Sequence, residues 1–377
     1  MNQLLKAKSK NVNIFKPSGK KSVMPMRNFI RNTNLKALER VLKAEGKKIL
    51  VYHSDGDGMC SSALLLKFFT GFKTIPREGP VIDEGFLKNL LSAEPDVIVF
   101  MDIPADQEWG KLLLLKSRLK KTKIAIIDHH IVEKDMNKEG IIHINPRMTD
   151  RGAYVPASAV MYEILNSLKY PAKKFIWISA VGVIADHGFE DCKEILKECE
   201  DAYPGTISDR ENHFSLYKVA DMLSALISLK GLKGAKIGLE LLVNLDSMEE
   251  IRNHQGLREY YVKVKKEIDR IMEDFRKHAE FVPEKKLIMY EIKSELNITS
   301  VIATKVTEKH KKEVIIIRKR SRQGWKVSLR CQSGKVNVGE IAKKASRGVG
   351  SGGGHQKSAG ALVKNWEKFR EAVLKKM

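Results

Sequence analysis

Four cysteines in 377 residues, Cys60, Cys192, Cys199 and Cys331, form no short-spaced pair, which removes support for a zinc ribbon or a disulfide framework. They suit a reducing interior instead. No uninterrupted apolar stretch approaches the roughly 20 residues that cross a bilayer, and the N-terminus has no apolar signal-peptide core. The expectation is a soluble, cytoplasmic protein with no membrane partner. Internal repeats and long low-complexity tracts are also missing, which argues against a solenoid.

What the chain has in excess is positive charge. Its 68 Lys/Arg against 46 Asp/Glu give a net +22, a balance that favours polyanionic partners such as nucleic acid. The excess is uneven: residues 281–377 hold 23 Lys/Arg and eight Asp/Glu, more than half of the net charge. The first 27 residues add Lys6, Lys8, Lys10, Lys16, Lys20, Lys21 and Arg27 with no acid. That segment reads as a mobile tail, either a solvated extension or an arm for phosphate backbones.

The length exceeds the usual size of one domain, so two are expected. From Leu35 to about Leu245, strand-like apolar runs alternate with amphipathic segments, the pattern of a mostly parallel sheet flanked by helices. KKILVY leads into an acidic loop, MCSSALLLKFFTGF reads as a helix, DVIVFMD ends at Asp102 and KIAIIDHH at His130. Residues 247–280 read as a charged helical connector. Beyond Phe281-Val282-Pro283 a smaller α/β unit follows, with strands LIMYEI, EVIIIRKR and GWKVSLRCQ, helices ITSVIATKVTEK and NVGEIAKKAS, a glycine-rich loop and a terminal helix, WEKFREAVLKK. The expected division is a tail over 1–27, an α/β domain over 28–246, the connector over 247–280 and a second domain over 281–377.

Two short stretches carry most of the chemistry: His-Ser-Asp-Gly-Asp-Gly at His53 to Gly58, and Asp-His-His at Asp128 to His130. Each follows a strand-like run, and Asp102 follows a third, so Asp55, Asp57, Asp102 and His129 are expected at the carboxyl ends of strands, where open α/β sheets hold ligands. Asp186 follows the helix-like run WISAVGVIA. Singly, Asp102 could cap a helix, Asp186 could pair with a local cation, and the histidines could be ordinary polar residues after a strand. Together they offer hard oxygen donors with imidazoles and no thiolate, a set that suits Mn2+ or Mg2+. Phosphodiester hydrolysis needs charge neutralisation on a nonbridging oxygen, a hydroxide near neutral pH and relief of charge on the leaving oxygen. Two divalent ions can supply all three. Gly56 is expected to provide a bend that aims Asp55 and Asp57 inward, and Gly58 a close backbone approach to an anion.

In this ordered set, HSDGDG, FMDIP, DHH, VIADHG and a terminal GGGH, the chain resembles the DHH phosphoesterase superfamily, especially RecJ-like nucleases with an appended DHHA1 domain. The matching positions span nearly all of the chain after the tail. The resemblance implies two divalent metal ions, Mn2+ preferred and Mg2+ as the alternative. One would lie near His53, Asp55 and Asp102, the second near Asp57, Asp102, His129 and Asp186, with Asp102 bridging. It assigns His130 to the scissile phosphate and Asp128 to support of the cluster, the two residues expected to be catalytic. It makes 28–246 the DHH catalytic domain and 281–377 a DHHA1 substrate-binding domain.

In that second domain Gly350-Ser351-Gly352-Gly353-Gly354-His355 exposes backbone N–H groups that phosphate could approach, although a bare glycine run can equally be a connector. The following QKSAGA matches the DHHA1 ending, and LRCQ supplies Arg330 at a position that resembles the family's substrate-binding arginine. Arg330, Gly352, Gly353, Gly354 and His355 are thus the expected substrate grip, facing the metals across a cleft. Arg318, Lys319, Arg320, Arg322 and Lys326 could extend an anionic track or form a solvated strand edge, and Trp325 is expected to pack rather than stack on a base.

The leading expectation is a metal-dependent exonuclease on single-stranded DNA or RNA. A hydrolase of very short substrates, a nanoRNase, pAp phosphatase or cyclic-dinucleotide phosphodiesterase, is the enzymatic alternative. A replication-associated binding protein is the alternative from another class, and replication or repair proteins are expected partners in either case.

Overall fold

A computed structural model describes residues 35–78, 82–209, 215–354 and 356–377. The basic tail expected over 1–27 and His355 lie outside the described residues. In chain order the first part contains α1 (Leu35–Leu42), β1 (Lys48–His53), α2 (Gly56–Leu66), β2 (Phe72–Arg77), α3 (Glu84–Ala93), β3 (Val97–Met101), α4 (Trp109–Arg118), β4 (Lys123–Ile127), β5 (Ile142–Ile144), α5 (Ala157–Ser167), α6 (Ile176–Ala185), α7 (Lys193–Ala202), α8 (Leu216–Lys230), α9 (Leu232–Asn244), α10 (Met248–Asn253) and α11 (Gln255–His278). The chain divides into two compact units between Tyr260 and Tyr261, inside α11.

The first unit is built on a parallel sheet in the order β2-β1-β3-β4-β5. Its central strands are apolar at nearly every position because both faces are covered. Ile49, Val51, Ile98, Phe100, Ile124 and Ile126 face a core shared with Phe86, Leu87 and Leu90 of α3 and Leu112 and Leu115 of α4. The alternating residues Leu50, Tyr52, Val99, Met101, Ala125 and Ile127 are fully buried too, on the side where α2 and α5 pack. β2 joins β1 on one side and β3 joins it on the other, so the connections leaving β1 and β3 diverge. That opens the crevice at which doubly wound sheets bind ligands.

One strand departs from the sequence reading. The helix expected through Phe72 stops at Leu66, and Phe72 instead opens β2. Gly71 at φ +82° turns the chain, a conformation that glycine adopts without penalty. β2 is a half-exposed edge strand containing Pro76, so it lacks the continuous apolar run that marks its neighbours.

The second unit carries β6 (Glu280–Val282), β7 (Leu287–Ile292), α12 (Thr299–Lys309), β8 (Val314–Ser321), β9 (Gly324–Arg330), α13 (Val338–Ala345), β10 (Gly350–Gly354), β11 (Ser358–Val363) and α14 (Trp366–Leu374). Its mixed sheet runs β10-β11-β9-β8-β7-β6, with β7 and β8 parallel and the other pairs antiparallel. α13 and α14 share one core with the sheet through Ile341, Trp366 and Phe369, and α12 packs on β8 and β9. The glycine run expected as a loop is the edge strand β10, with Gly350 opposite Val363 and Gly354 opposite Ala359. A Cβ on Gly350 would lie 2.0 Å from Leu362 O, and one on Gly352 2.7 Å from Ala342 O. Those two glycines are therefore required for close backbone packing.

Candidate metal centre

Three strand ends and one helix end supply the centre. His53 closes β1, and Asp55 caps α2, its Oδ1 accepting the Gly58 N–H at 2.9 Å. Asp57 follows in the first turn of α2 and is fully buried. Gly56 and Gly58 belong to that turn, so the expected bend at Gly56 is replaced by a packing demand. A Cβ on Gly56 would sit 2.5 Å from Ala185 Cβ, and one on Gly58 2.1 Å from His53 O. Asp102 leaves β3 at φ +56°, a left-handed conformation that costs an L-residue roughly 1–2 kcal/mol. Its N–H donates to Ile127 O at 2.9 Å, which ties it to β4 just before Asp128, His129 and His130. Asp186 caps the end of α6.

These residues converge. His53 Nδ1 lies 2.9 Å from Asp55 Oδ2 and 3.4 Å from Asp102 Oδ2. His129 Nε2 lies 3.2 Å from Asp102 Oδ1 and 3.5 Å from Asp186 Oδ2. His53, Asp55 and Asp102 offer one set of donor atoms within 4.8 Å of one another, and Asp57, His129 and Asp186 offer a second. Asp102 also groups with His129 and His130 in the same way. The donors are carboxylate oxygens and imidazole nitrogens, the set that hard divalent cations take.

The electrostatics suit bound positive charge. Burial pushes Asp57 well above the usual carboxylate range, and the nearby Asp102 and Asp186 add to it. Burial likewise raises Asp186 to about 6 against the opposing pull of His129. Burial disfavours a charged His129, yet Asp186 and Asp102 outweigh it and lift the imidazole to about 10. Asp102 Oδ1 and Asp186 Oδ2 are buried and accept no well-directed hydrogen bond, even with His129 Nε2 close to both. Leaving such atoms unsatisfied is costly, and bound cations would satisfy them and offset the crowded negative charge.

Two acids also hold structure. Asp57 Oδ2 accepts from Ala157 N at 2.6 Å and Oδ1 from Ser158 N at 3.0 Å. These are the first N–H groups of α5, whose N-cap, Pro156, provides no side-chain bond, so Asp57 serves as a cap from another helix. Asp128 is fully buried. Its Oδ1 lies 2.8 Å from His130 Nδ1 and its Oδ2 accepts the His130 N–H at 3.1 Å. Despite burial, the His130 charge and hydrogen bond bring Asp128 down to about 2. The contact fixes the ring of His130. Burial opposes a charge on that imidazole, and Asp128 outweighs it to raise the pKa.

Sequence reasoning missed Asn145, Arg147 and Tyr154. Asn145 Nδ2 donates to His130 O at 3.0 Å and Arg147 Nε to His129 O at 2.8 Å. Tyr154 stands edge-on to the His129 ring at 5.3 Å, with Arg147 over its face at 5.8 Å. Asp191, the neighbour in sequence that could be confused with Asp186, instead accepts the Tyr154 N–H at 2.8 Å. The rule that found Asp102, polar residues directly after a buried strand, applies equally to Asn145 after β5.

In the second unit Arg330 ends β9. Its guanidinium donates to Ser300 Oγ at 2.6 Å, Thr304 Oγ1 at 3.4 Å, Leu329 O at 2.9 Å and Ala359 O at 3.4 Å. Burial lowers it to about 10, still charged at neutral pH. Gly354 pairs with the same Ala359, so Arg330 and the end of β10 share one neighbourhood. A Cβ on Gly353 would meet nothing within 4 Å. Two of the other basic residues considered for an anionic track are committed elsewhere. Arg318 pairs with Glu291 at 2.7 Å and stacks on Trp325 and Trp366, and Lys319 donates to Leu296 O at 2.9 Å. Trp325 packs against the core of this unit.

All four cysteines are free and buried. Among the described residues, no helix is long and apolar enough to cross a membrane. No curated protein sequence matches the chain. Solved structures do. RecJ from Thermus thermophilus in complex with Mn2+ superposes with a TM-score of 0.68 at 17% identity, over 96% of this chain and 55% of that one. The DHH domain of a protein assigned to a family of ribosomal proteins gives 0.74 at 17% identity, over 94% and 92%. CDC45 from Entamoeba histolytica gives 0.59 at 11% identity, over 90% and 98%. The chain spans about half the length of the Thermus RecJ, with the same fold. The model of the DHH family, N-terminal domain, matches residues 48–185, and that of the DHHA1 domain matches residues 284–377. With both family models matched in this order around the clustered acids, the chain belongs to the DHH/DHHA1 phosphoesterase superfamily and has a RecJ-like fold.

Proposed function

We propose that this DHH-family phosphoesterase is a divalent-metal-dependent exonuclease on single-stranded DNA or RNA. The observation that carries the proposal is the pair of donor sets, His53/Asp55/Asp102 and Asp57/His129/Asp186, joined by contacts of 3.2–3.4 Å to Asp102. They would hold two ions, Mn2+ or Mg2+. RecJ from Thermus thermophilus has been solved with each. Bound there, divalent ions supply Lewis acidity toward a phosphate oxygen and a lowered pKa for water.

The chain's own residues do the rest. Asp128 holds the His130 ring through Nδ1, so the opposite ring edge is the one that can donate to a nonbridging oxygen of the scissile phosphate. Asn145 and Arg147 fix the peptide carbonyls of His130 and His129, which keeps both imidazoles in place while substrates exchange. Arg330, held by hydroxyls and carbonyls with no carboxylate among those partners, is suited to a second phosphate, and the open face at Gly353 to the backbone beside it. Holding a second phosphate positions the strand, and positioning of this kind favours attack from an end. The net +22 of the chain draws a polyanion to both.

The test is hydrolysis of 5′- and 3′-labelled DNA and RNA of several lengths, from a dinucleotide to roughly a 30-mer, with Mn2+, with Mg2+ and with chelator. Stepwise products from a long strand, lost with chelator, are the expected result. Hydrolysis of the dinucleotide alone would move the assignment to a short-substrate phosphodiesterase. Asp102→Asn is the variant of choice because asparagine tolerates the left-handed backbone at that position. Undiminished cleavage by it would overturn the metal assignment.

A further inference from the structure

The first unit carries a groove beside the metal centre, at the β2 side of its sheet. It has a volume of about 620 Å3 and lies between β2, α3 and the start of α9. Among the described residues β2 is bonded to β1 alone, which makes it an edge strand of the sheet. The aliphatic surface is formed by Ile75 and Ala93, both half-buried, over Ile49 and Leu90, which belong to the buried core, and Leu232 stands at the rim, 40% exposed. Lys73, Lys233 and Lys236 surround it and are exposed. No carboxylate occurs among the described residues that line it. Arg77 at its upper end is already balanced by Asp83 and lies over Phe86 at 4.4 Å.

An apolar hollow rimmed by like charges marks a binding surface, because exposed aliphatic area is otherwise a liability. The rim selects a negatively charged partner. Its lining decides which kind: single-stranded nucleic acid is gripped by stacking on exposed aromatic rings, and the one ring among the described lining residues, Phe86, is buried beneath Arg77. Aliphatic floors accept leucine, isoleucine and valine side chains. Pro76 removes a backbone donor from β2, so side-chain pockets rather than sheet extension would carry the affinity.

We propose that this groove docks an acidic peptide segment of a partner protein, its aliphatic side chains on Ile75, Ala93 and Leu232 and its Asp/Glu side chains paired with Lys73, Lys233 and Lys236. The register places Arg77 opposite His53, and Lys73 lies four residues down the strand, roughly 13 Å away at about 3.3 Å per residue. A partner held there sits beside the catalytic centre. The proposal is independent of the nucleic-acid assignment.

Random peptides of about 12 residues displayed on phage are selected on the full chain and counter-selected on Lys73→Glu/Lys233→Glu/Lys236→Glu. The expected result is a consensus of spaced aliphatic and acidic residues. Synthetic peptides of that consensus should bind the triple variant and Leu232→Asp at least about tenfold more weakly than the unaltered chain, while dinucleotide or oligonucleotide hydrolysis is unchanged. Hydrogen exchange with bound peptide should slow at residues 72–78 and 232–236. A consensus lacking acids, or equal binding to the triple variant, overturns the proposal. A triple variant that loses affinity for a short single strand of about 12 nucleotides while still binding the peptides does so as well, and assigns the groove to nucleic acid.

Discussion

The two units handle charge in opposite ways. Around Asp102 the first unit collects four other carboxylates and three imidazoles, with acids buried so closely that Asp57 and Asp186 are held above their ordinary range. Around Arg330 the second unit places one cation among hydroxyls and carbonyl oxygens, with no carboxylate among its hydrogen-bond partners. A site for cations must carry an excess of negative charge that cations relieve, whereas a site for phosphate must leave its arginine unneutralised. The contrast separates a centre that would do chemistry from one that would hold.

The sharpest way to break that contrast is to remove charge on each side. Asp102→Asn should lower kcat about 1000-fold or more, since metal-assisted charge stabilisation is worth several kcal/mol and each ~1.36 kcal/mol is a factor of ten. It should also abolish the rise in Tm on adding Mn2+. Arg330→Gln should instead raise KM by roughly 10- to 100-fold, the worth of a charge-assisted hydrogen bond, and leave that rise in Tm unchanged. Steady-state kinetics with thermal melts read both. If both variants changed the same parameter, the division between chemistry and grip would fail.

A smaller effect tests Asn145, which holds the His130 carbonyl and lies 3.5 Å from Asp128. Asn145→Ala should weaken Mn2+ binding or kcat by about 10- to 100-fold, the range for groups that orient metal ligands, without changing KM. Calorimetric titration with Mn2+ and a kcat measurement check it.

Much of this contrast was legible in the chain because parallel strands buried on both faces read as unbroken apolar runs, and the polar residue after each is conspicuous. VIVFM then Asp102 and KIAII then Asp128 are of this kind. β2 was not legible, since an edge strand with Pro76 has neither alternation nor an apolar run. The glycine run from Gly350 read as a loop because a strand without side chains has no periodicity; only its pairing with β11 makes it one. The second role of Asp57, capping α5 a hundred residues on, arises from tertiary contact that no local pattern encodes. Asn145 followed the same rule as Asp102, but β5 is only three residues long and its signal is short.

Proton linkage gives a further handle on the first unit. In the metal-free protein His129 is raised to about 10 and Asp186 to about 6, both above their unfolded values. Raised groups contribute stability that is complete below the unfolded pKa and is lost as pH rises through the folded one. For His129 that window runs from 6.5, its ordinary value, to about 10. A cation needs the neutral imidazole and the ionised acids, so Mn2+ must displace protons and bind more tightly as pH rises. The Tm difference between Mn2+-loaded and chelated protein should therefore widen from about pH 6.5 to about pH 9. Each tenfold gain in affinity adds about 1.4 kcal/mol at saturating metal, or roughly 2–4 °C. A difference that is flat across this range would show that His129 does not meet the cation.

The finest test lies within the glycine strand. Gly352 has a packing reason to lack a side chain, since a Cβ there would stand 2.7 Å from Ala342 O and 2.9 Å from Ala361 Cβ, whereas Gly353 has open space. Gly352→Ala should therefore destabilise the second unit by about 1–3 kcal/mol, the usual cost of overpacking. Gly353→Ala should leave Tm unchanged, since no atom of the described residues lies within 4 Å of the added methyl group. If the strand serves only as structure, activity should be unchanged as well. If a phosphate backbone approaches it, the same methyl group must displace the substrate, and KM should rise several-fold with kcat retained. Measuring melting and kinetics on the two neighbouring variants separates a glycine kept for the fold from a glycine kept for the ligand.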